Sequence, residues 1–98
     1  MKTKEDIINA IKHVQHPAIA YSLLELGIVK GVEVEDNTAK ISFAFPFDKI
    51  PIAMQLINSI AFPIEAIGAE FDYEIVQMNE AEKERFMKME KAGWIGKK

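Results

Sequence analysis

Two histidines, His13 and His16, stand three residues apart at the end of an apolar-periodic segment. On a helix that spacing turns both imidazoles to one side, where they could offer nitrogens to a divalent metal. A small metal-dependent enzyme built on them needs a further ligand, and neither an acidic residue nor a third histidine stands at a spacing that supplies one. The helix dipole accounts for histidines near a C-terminus without any ligand. Glu70, Asp72 and Glu74 alternate along a strand-like segment. Paired carboxylates do acid–base work when burial drives their pKa values apart, but strict alternation turns all three to water, where shifts are small. Ser22, Ser42, Ser59, Thr3 and Thr38 lack a glycine elbow, and no phosphate-binding glycine loop occurs. "GWIG", residues 93–96, has the glycine pair of an RNA-binding KH loop, yet it follows a helix at the end of the sequence instead of joining two helices.

Cysteine is absent. Disulfides, thiolate nucleophiles, zinc–thiolate sites and cysteine-held iron–sulfur clusters are therefore excluded on chemical grounds. No catalytic, cofactor-binding or metal site is expected, and the chain is not expected to be an enzyme. Its 98 residues suffice for one core only. The expected division is an α/β domain over residues 1–78, with a C-terminal helix and tail, 79–98, packed on it. A net charge of −3 disfavours nucleic acid and anionic lipid as partners. The start breaks its apolar residues with charge, unlike a secretory signal. No stretch reaches the roughly 18–20 apolar residues of a membrane span, so the expected setting is the cytoplasm.

The elements that must position these residues follow from periodicity. Ile7, Ile8, Ile11 and Val14 lay one apolar stripe along a helix over residues 4–15, capped by Thr3 with Asp6 and stopped by Pro17. Residues 18–27 read as a turn of helix or an irregular link ending at Gly27. Residues 28–45 predict a hairpin, with Asp36 and Asn37 as its turn. A second helix carries Ala53, Leu56, Ile57 and Ile60, with Asp48 as cap, Pro51 in the first turn, Met54 in the core, and Phe62 and Pro63 closing or kinking it. Residues 69–77 predict a third strand with a wet acidic face. Asn79 and Glu82 form a capping box for a last helix that Gly93 stops. On this helix Phe86, Met89 and Trp94 dock onto the sheet or onto another subunit. The fold class is α+β: a two-layer sandwich in the order α-β-β-α-β-α over a three-stranded mixed sheet. A helical crossover from the second strand to the third makes these two parallel, and the expected sheet order is 2-1-3.

The run "IINAIKHVQHPAIAYSLLELGIVKGVEVEDNTAKISFAFPFDKIPIAMQL" resembles a known family. It is similar to the small iron–sulfur cluster assembly domain of SUF-system accessory proteins, of the phenylacetate-pathway maturation protein PaaD, of the cytosolic iron–sulfur targeting factor, and of the N-terminus of Mrp/ApbC-type cluster carriers. The resemblance covers residues 7–76. Its most specific part is a helix, a proline, a short spacer, then "LLELGIV" and an alternating hairpin, against the family's aspartate-proline-glutamate and aspartate-leucine-glycine-leucine-valine. The resemblance implies an α-β-β-α-β core and a role in iron–sulfur cluster maturation. Two departures qualify it. His16, Pro17 and Ala18 replace aspartate-proline-glutamate, and Ile50 before Pro51 replaces the reactive cysteine that many members carry. Pro46 and Pro51 then stiffen a loop whose tip is aliphatic. The implied function is a non-catalytic adaptor without a cofactor. It presents His16, Pro17, Leu26, Gly27, Pro46, Ile50 and Pro51 to a protein partner, either a P-loop iron–sulfur carrier ATPase or an apo-protein client, with a homodimer as a further possibility.

Overall fold

The computed structural model describes residues 2–46 and 51–95. The elements run α1 (Lys4–Ile11), β1 (Val29–Glu35), β2 (Thr38–Phe45), α2 (Ala53–Ala66), β3 (Glu70–Gln77) and α3 (Glu80–Gly93). This is the expected α+β order over a mixed three-stranded sheet. Among the described residues no helix is long and apolar enough to cross a membrane.

Local chemistry explains most boundaries. Thr3 caps α1: the Asp6 N–H donates to Thr3 Oγ1, and the Thr3 N–H returns a bond to the Asp6 carboxylate. That backbone bond holds the Asp6 carboxyl below its usual range. Asn79 and Glu82 repeat the device at α3, and there the Asn79 N–H lowers the Glu82 carboxyl. Asp36 and Asn37 both adopt the left-handed backbone (φ 51° and 67°) that a two-residue hairpin requires. Gly68 ends α2 at φ 89°, a conformation that a side chain would strain.

The structure corrects four expectations. First, α1 stops at Ile11, with Lys12 as its C-cap, well short of Pro17. The chain leaves the helix because the segment after it pairs with itself: Gln15 bridges Ser22, and the Leu23 N–H donates to the Val14 carbonyl. Second, α2 is not closed at Phe62 and Pro63 but runs through them to Ala66. So near the helix end, Pro63 removes only the bond to the Ser59 carbonyl. The expected cap Asp48 lies outside the described residues; the N-cap position is Ile52, which makes no side-chain capping bond. Third, Met54 is 55% exposed and does not belong to the core.

Fourth, the sheet order is β1-β2-β3, not 2-1-3. β2 is the strand that can be central, because Ile41, Phe43, Ala44 and Phe45 bury side chains of both its faces. β1, by contrast, carries exposed Lys30, Glu33 and Glu35 and a break in register between Val29 and Gly31. β2 pairs antiparallel with β1 and parallel with β3 along its whole length. Phe43 packs edge-on against Phe71 (6.5 Å) and Tyr73 (6.1 Å), tying β3 to β2 by aromatic contact as well as by backbone bonds.

α1 and α2 pack against each other, α1 reaching β1 and α2 reaching β3. α3 docks on neither a bare sheet face nor solvent: it lies along the link between α1 and β1. The Ala20 N–H donates to the Gly93 carbonyl, and the Ile95 N–H donates to the Ala18 carbonyl. Phe86 is buried in the core, and Met89 packs half-buried against it. Gly93 is needed for close approach, since a Cβ there would meet the Tyr21 ring at 2.7 Å. Gly93→Ala is therefore expected to lose stability: overpacking of about 1–3 kcal/mol outweighs a helix-propensity gain of roughly 1 kcal/mol. Urea unfolding followed through Trp94 fluorescence measures the difference.

Candidate functional site

The parallel pairing of β2 and β3 brings their carboxyl ends to one end of the sheet. β1 starts there, as the Ala44 N–H donates to the Ile28 carbonyl. α3 starts there too, as the Met78 N–H donates to the Phe45 carbonyl. Gly27, at φ 82° just before β1, and Pro46, just after β2, therefore lie together at this end, with Pro51 opening the approach to α2.

The seven expected contact residues do not make one surface. Leu26, 1% exposed, and Pro46 are buried and shape the end from within; their side chains have no surface to offer a partner. Ile50 lies outside the described residues. His16 and Pro17 sit with the other end of α3, beside the Ala18–Ile95 and Ala20–Gly93 bonds. The 14 residues of α3 separate the two ends by about 21 Å at 1.5 Å per residue. Pro17 and Pro51 are both exposed, and His16 and Gly27 are half-buried.

His16 Nδ1 accepts the Ala18 N–H at 3.0 Å, which fixes the imidazole as a neutral acceptor in the turn that carries Pro17. Burial lowers its pKa from the usual histidine value. His13 is exposed. Among the described residues no three histidine, aspartate or glutamate side chains gather where a metal ion would need them. Iron–sulfur clusters are held mainly by thiolates, and the chain contains none. These residues do not fit a cluster.

Two surface features escaped the periodicity reading. Tyr73 (39%) and Ile75 (53%) are exposed, although they stand on the apolar face of β3, because β3 is an edge strand. Phe62, 67% exposed, shares with Met54 and Asn58 a stripe of four-residue spacing on α2. The polar Asn58 within that stripe was the available signal.

The comparisons with known proteins agree with this architecture. A family model of iron–sulfur cluster assembly proteins matches residues 4–70, well over half of the chain. The chain belongs to that family. Uncharacterized protein MJ1129 of Methanocaldococcus jannaschii is 44% identical over 37 residues, which cover 38% of this chain and 39% of that protein. The chain thus matches about two fifths of that relative's length. The crystal structure of a domain of unknown function, DUF59, from Bacillus anthracis superimposes with a TM-score of 0.69. It is 20% identical over 91% of this chain and 88% of that one, a likeness of fold.

The lowered pKa of His16 gives a pH dependence with a definite sign. The unfolded chain binds a proton near pH 6.5, where the folded chain does not, so this contribution to stability is complete above about pH 6.5 and is lost as pH falls through the lower folded pKa. His16→Asn keeps a side-chain acceptor for the residue-18 N–H in an Asx-type turn and removes the titration. The variant is expected to lose less thermal stability than the parent between pH 7 and pH 5, as read from paired melting curves.

Proposed function

We propose that this chain serves iron–sulfur cluster assembly as a non-catalytic adaptor in the cytoplasm, contacting protein partners and leaving the cluster, the family's cargo, to them. The observation that carries the reading is a family member with no cysteine anywhere in its 98 residues. Without thiolates it lacks both the usual cluster ligands and a sulfur nucleophile, so shape and surface are what it has to contribute.

The contact is assigned to the carboxyl end of the β2–β3 pair. There Pro46 and Pro51 flank the sequence position, Ile50, at which the resemblance to the family places a cysteine in many members, and Gly27 lies at the same end. The buried Leu26 and Pro46 support this end from beneath. The partner is a P-loop cluster-carrier ATPase or an apo-protein client. A patch this small suits a transient contact, since stable specific interfaces bury on the order of 1,200 Å² or more.

Affinity purification of the tagged chain from native lysate, with mild cross-linking, tests the reading. Iron–sulfur assembly factors are expected to be recovered. Pro51→Glu is expected to cut their recovery several-fold, while Pro17→Glu at the far end of α3 leaves it unchanged. Both positions are exposed, so the melting temperature should barely move in either variant. Recovery of no assembly factor under conditions that preserve weak complexes would overturn it.

A further inference from the structure

Among the described residues, β3 has one edge paired and one edge open. The Glu70 N–H donates to the Asn37 carbonyl, and the Met78 N–H to the Phe45 carbonyl. These bonds are eight residues apart on both sides, with an unbroken register between them. Even-numbered N–H groups of β3 therefore point toward β2, and those of Phe71, Tyr73, Ile75 and Gln77 point outward. β3 ends the sheet, and among the described residues no backbone group bonds across its outer edge.

The two faces of this edge differ sharply in chemistry. On the helix-bearing face, Tyr73 and Ile75 stand exposed two residues apart. Tyr73 is a rigid platform: its ring stacks on Phe71 at 5.6 Å and meets Phe43 edge-on at 6.1 Å. On the other face Glu70, Asp72 and Glu74 form a row. Beyond it, Glu33, Glu35 and Asp36 border the same shallow depression as Asp72; among the described residues the cation there is Lys40, which pairs with Glu74 at 3.7 Å. At the middle of the edge, the Asp72 carboxylate takes the outward N–H of Tyr73 at 2.8 Å.

We propose that the open edge of β3 accepts an extended segment of a partner protein in which apolar residues alternate with lysine or arginine. Strand addition satisfies the outward backbone groups, and alternate side chains sort onto the two faces. The apolar ones meet Tyr73 and Ile75, and the cations meet the carboxylate row. An incoming cation draws the Asp72 carboxylate off the Tyr73 N–H and frees that donor for the new strand. Until then Asp72 keeps the edge from pairing indiscriminately. Charge decides against a second copy of this chain as the occupant: pairing β3 with itself would set two carboxylate rows against each other, and like charges across strands are destabilising. This inference stands apart from the iron–sulfur reading and is tested with purified chain alone.

The probe is a blocked eight-residue peptide alternating valine and lysine, with a twin alternating valine and glutamate. Binding is followed by fluorescence anisotropy, and amide hydrogen exchange is followed by NMR. The lysine peptide is expected to slow exchange at Phe71, Ile75 and Gln77 at least tenfold, and the glutamate twin to bind at least tenfold more weakly. Ile75→Pro removes an outward N–H while leaving the bonds to β2 intact. It should weaken the lysine peptide at least tenfold, with the amides of Glu70 and Met78 still protected. Binding that leaves those outward amides unprotected or survives Ile75→Pro is surface ion pairing only, and overturns the proposal. Equal affinity for the glutamate twin overturns it as well, as does concentration-dependent protection of the same amides without peptide, the mark of a second copy.

Discussion

Burial of one whole face of β2, and of Ala44 on the other, is the constraint from which the rest of the structure follows. A strand whose Ile41, Phe43, Ala44 and Phe45 all exclude water is best placed between two others, paired on both edges. β1 supplies one edge through the tight Asp36–Asn37 turn, and β3 supplies the other after the α2 crossover. Placing β2 in the middle fixes two consequences for function. The carboxyl ends of β2 and β3 fall together beside the start of β1, making the end where Gly27, Pro46 and Pro51 gather. β3 becomes an edge, with apolar side chains that no helix fully covers.

Much of this was legible in the residues. The order of elements, the hairpin turn and both capping boxes each rest on interactions within a few positions, and local chemistry specifies those. The sheet order depends on a comparison between strands. "ISFAF" is nearly continuous in apolar character and "VKGVEVE" is interrupted by charge, which marks the first as central and the second as peripheral. Alternation within each strand cannot show this, and the expected order 2-1-3 is therefore wrong. The length of α1 is not legible for a related reason. Val14 fits the helical stripe, but its carbonyl is taken by Leu23, a partner nine residues on.

The expected contact residues were legible as a set of positions but not as a place. Leu26 stands in the "LLELGIV" run that carries the resemblance and has the burial of a core residue. His16 and Pro17 precede the link that α3 covers, so the helix that closes the fold also separates them from Pro51. The exposure of Tyr73 and Ile75 could be read only once β3 was known to be an edge. The chain therefore carries two candidate surfaces of different kind: the end of the sheet near Gly27, Pro46 and Pro51, and an edge strand with an acidic flank.

What joins these features is a domain of the iron–sulfur cluster assembly family without a single thiolate. The most direct test is the iron and acid-labile sulfide content of the chain isolated without oxygen, with its visible spectrum. A chain that works by contact should carry neither in stoichiometric amount and should be colourless. About one cluster per chain or per pair of chains, retained through gel filtration, would contradict it.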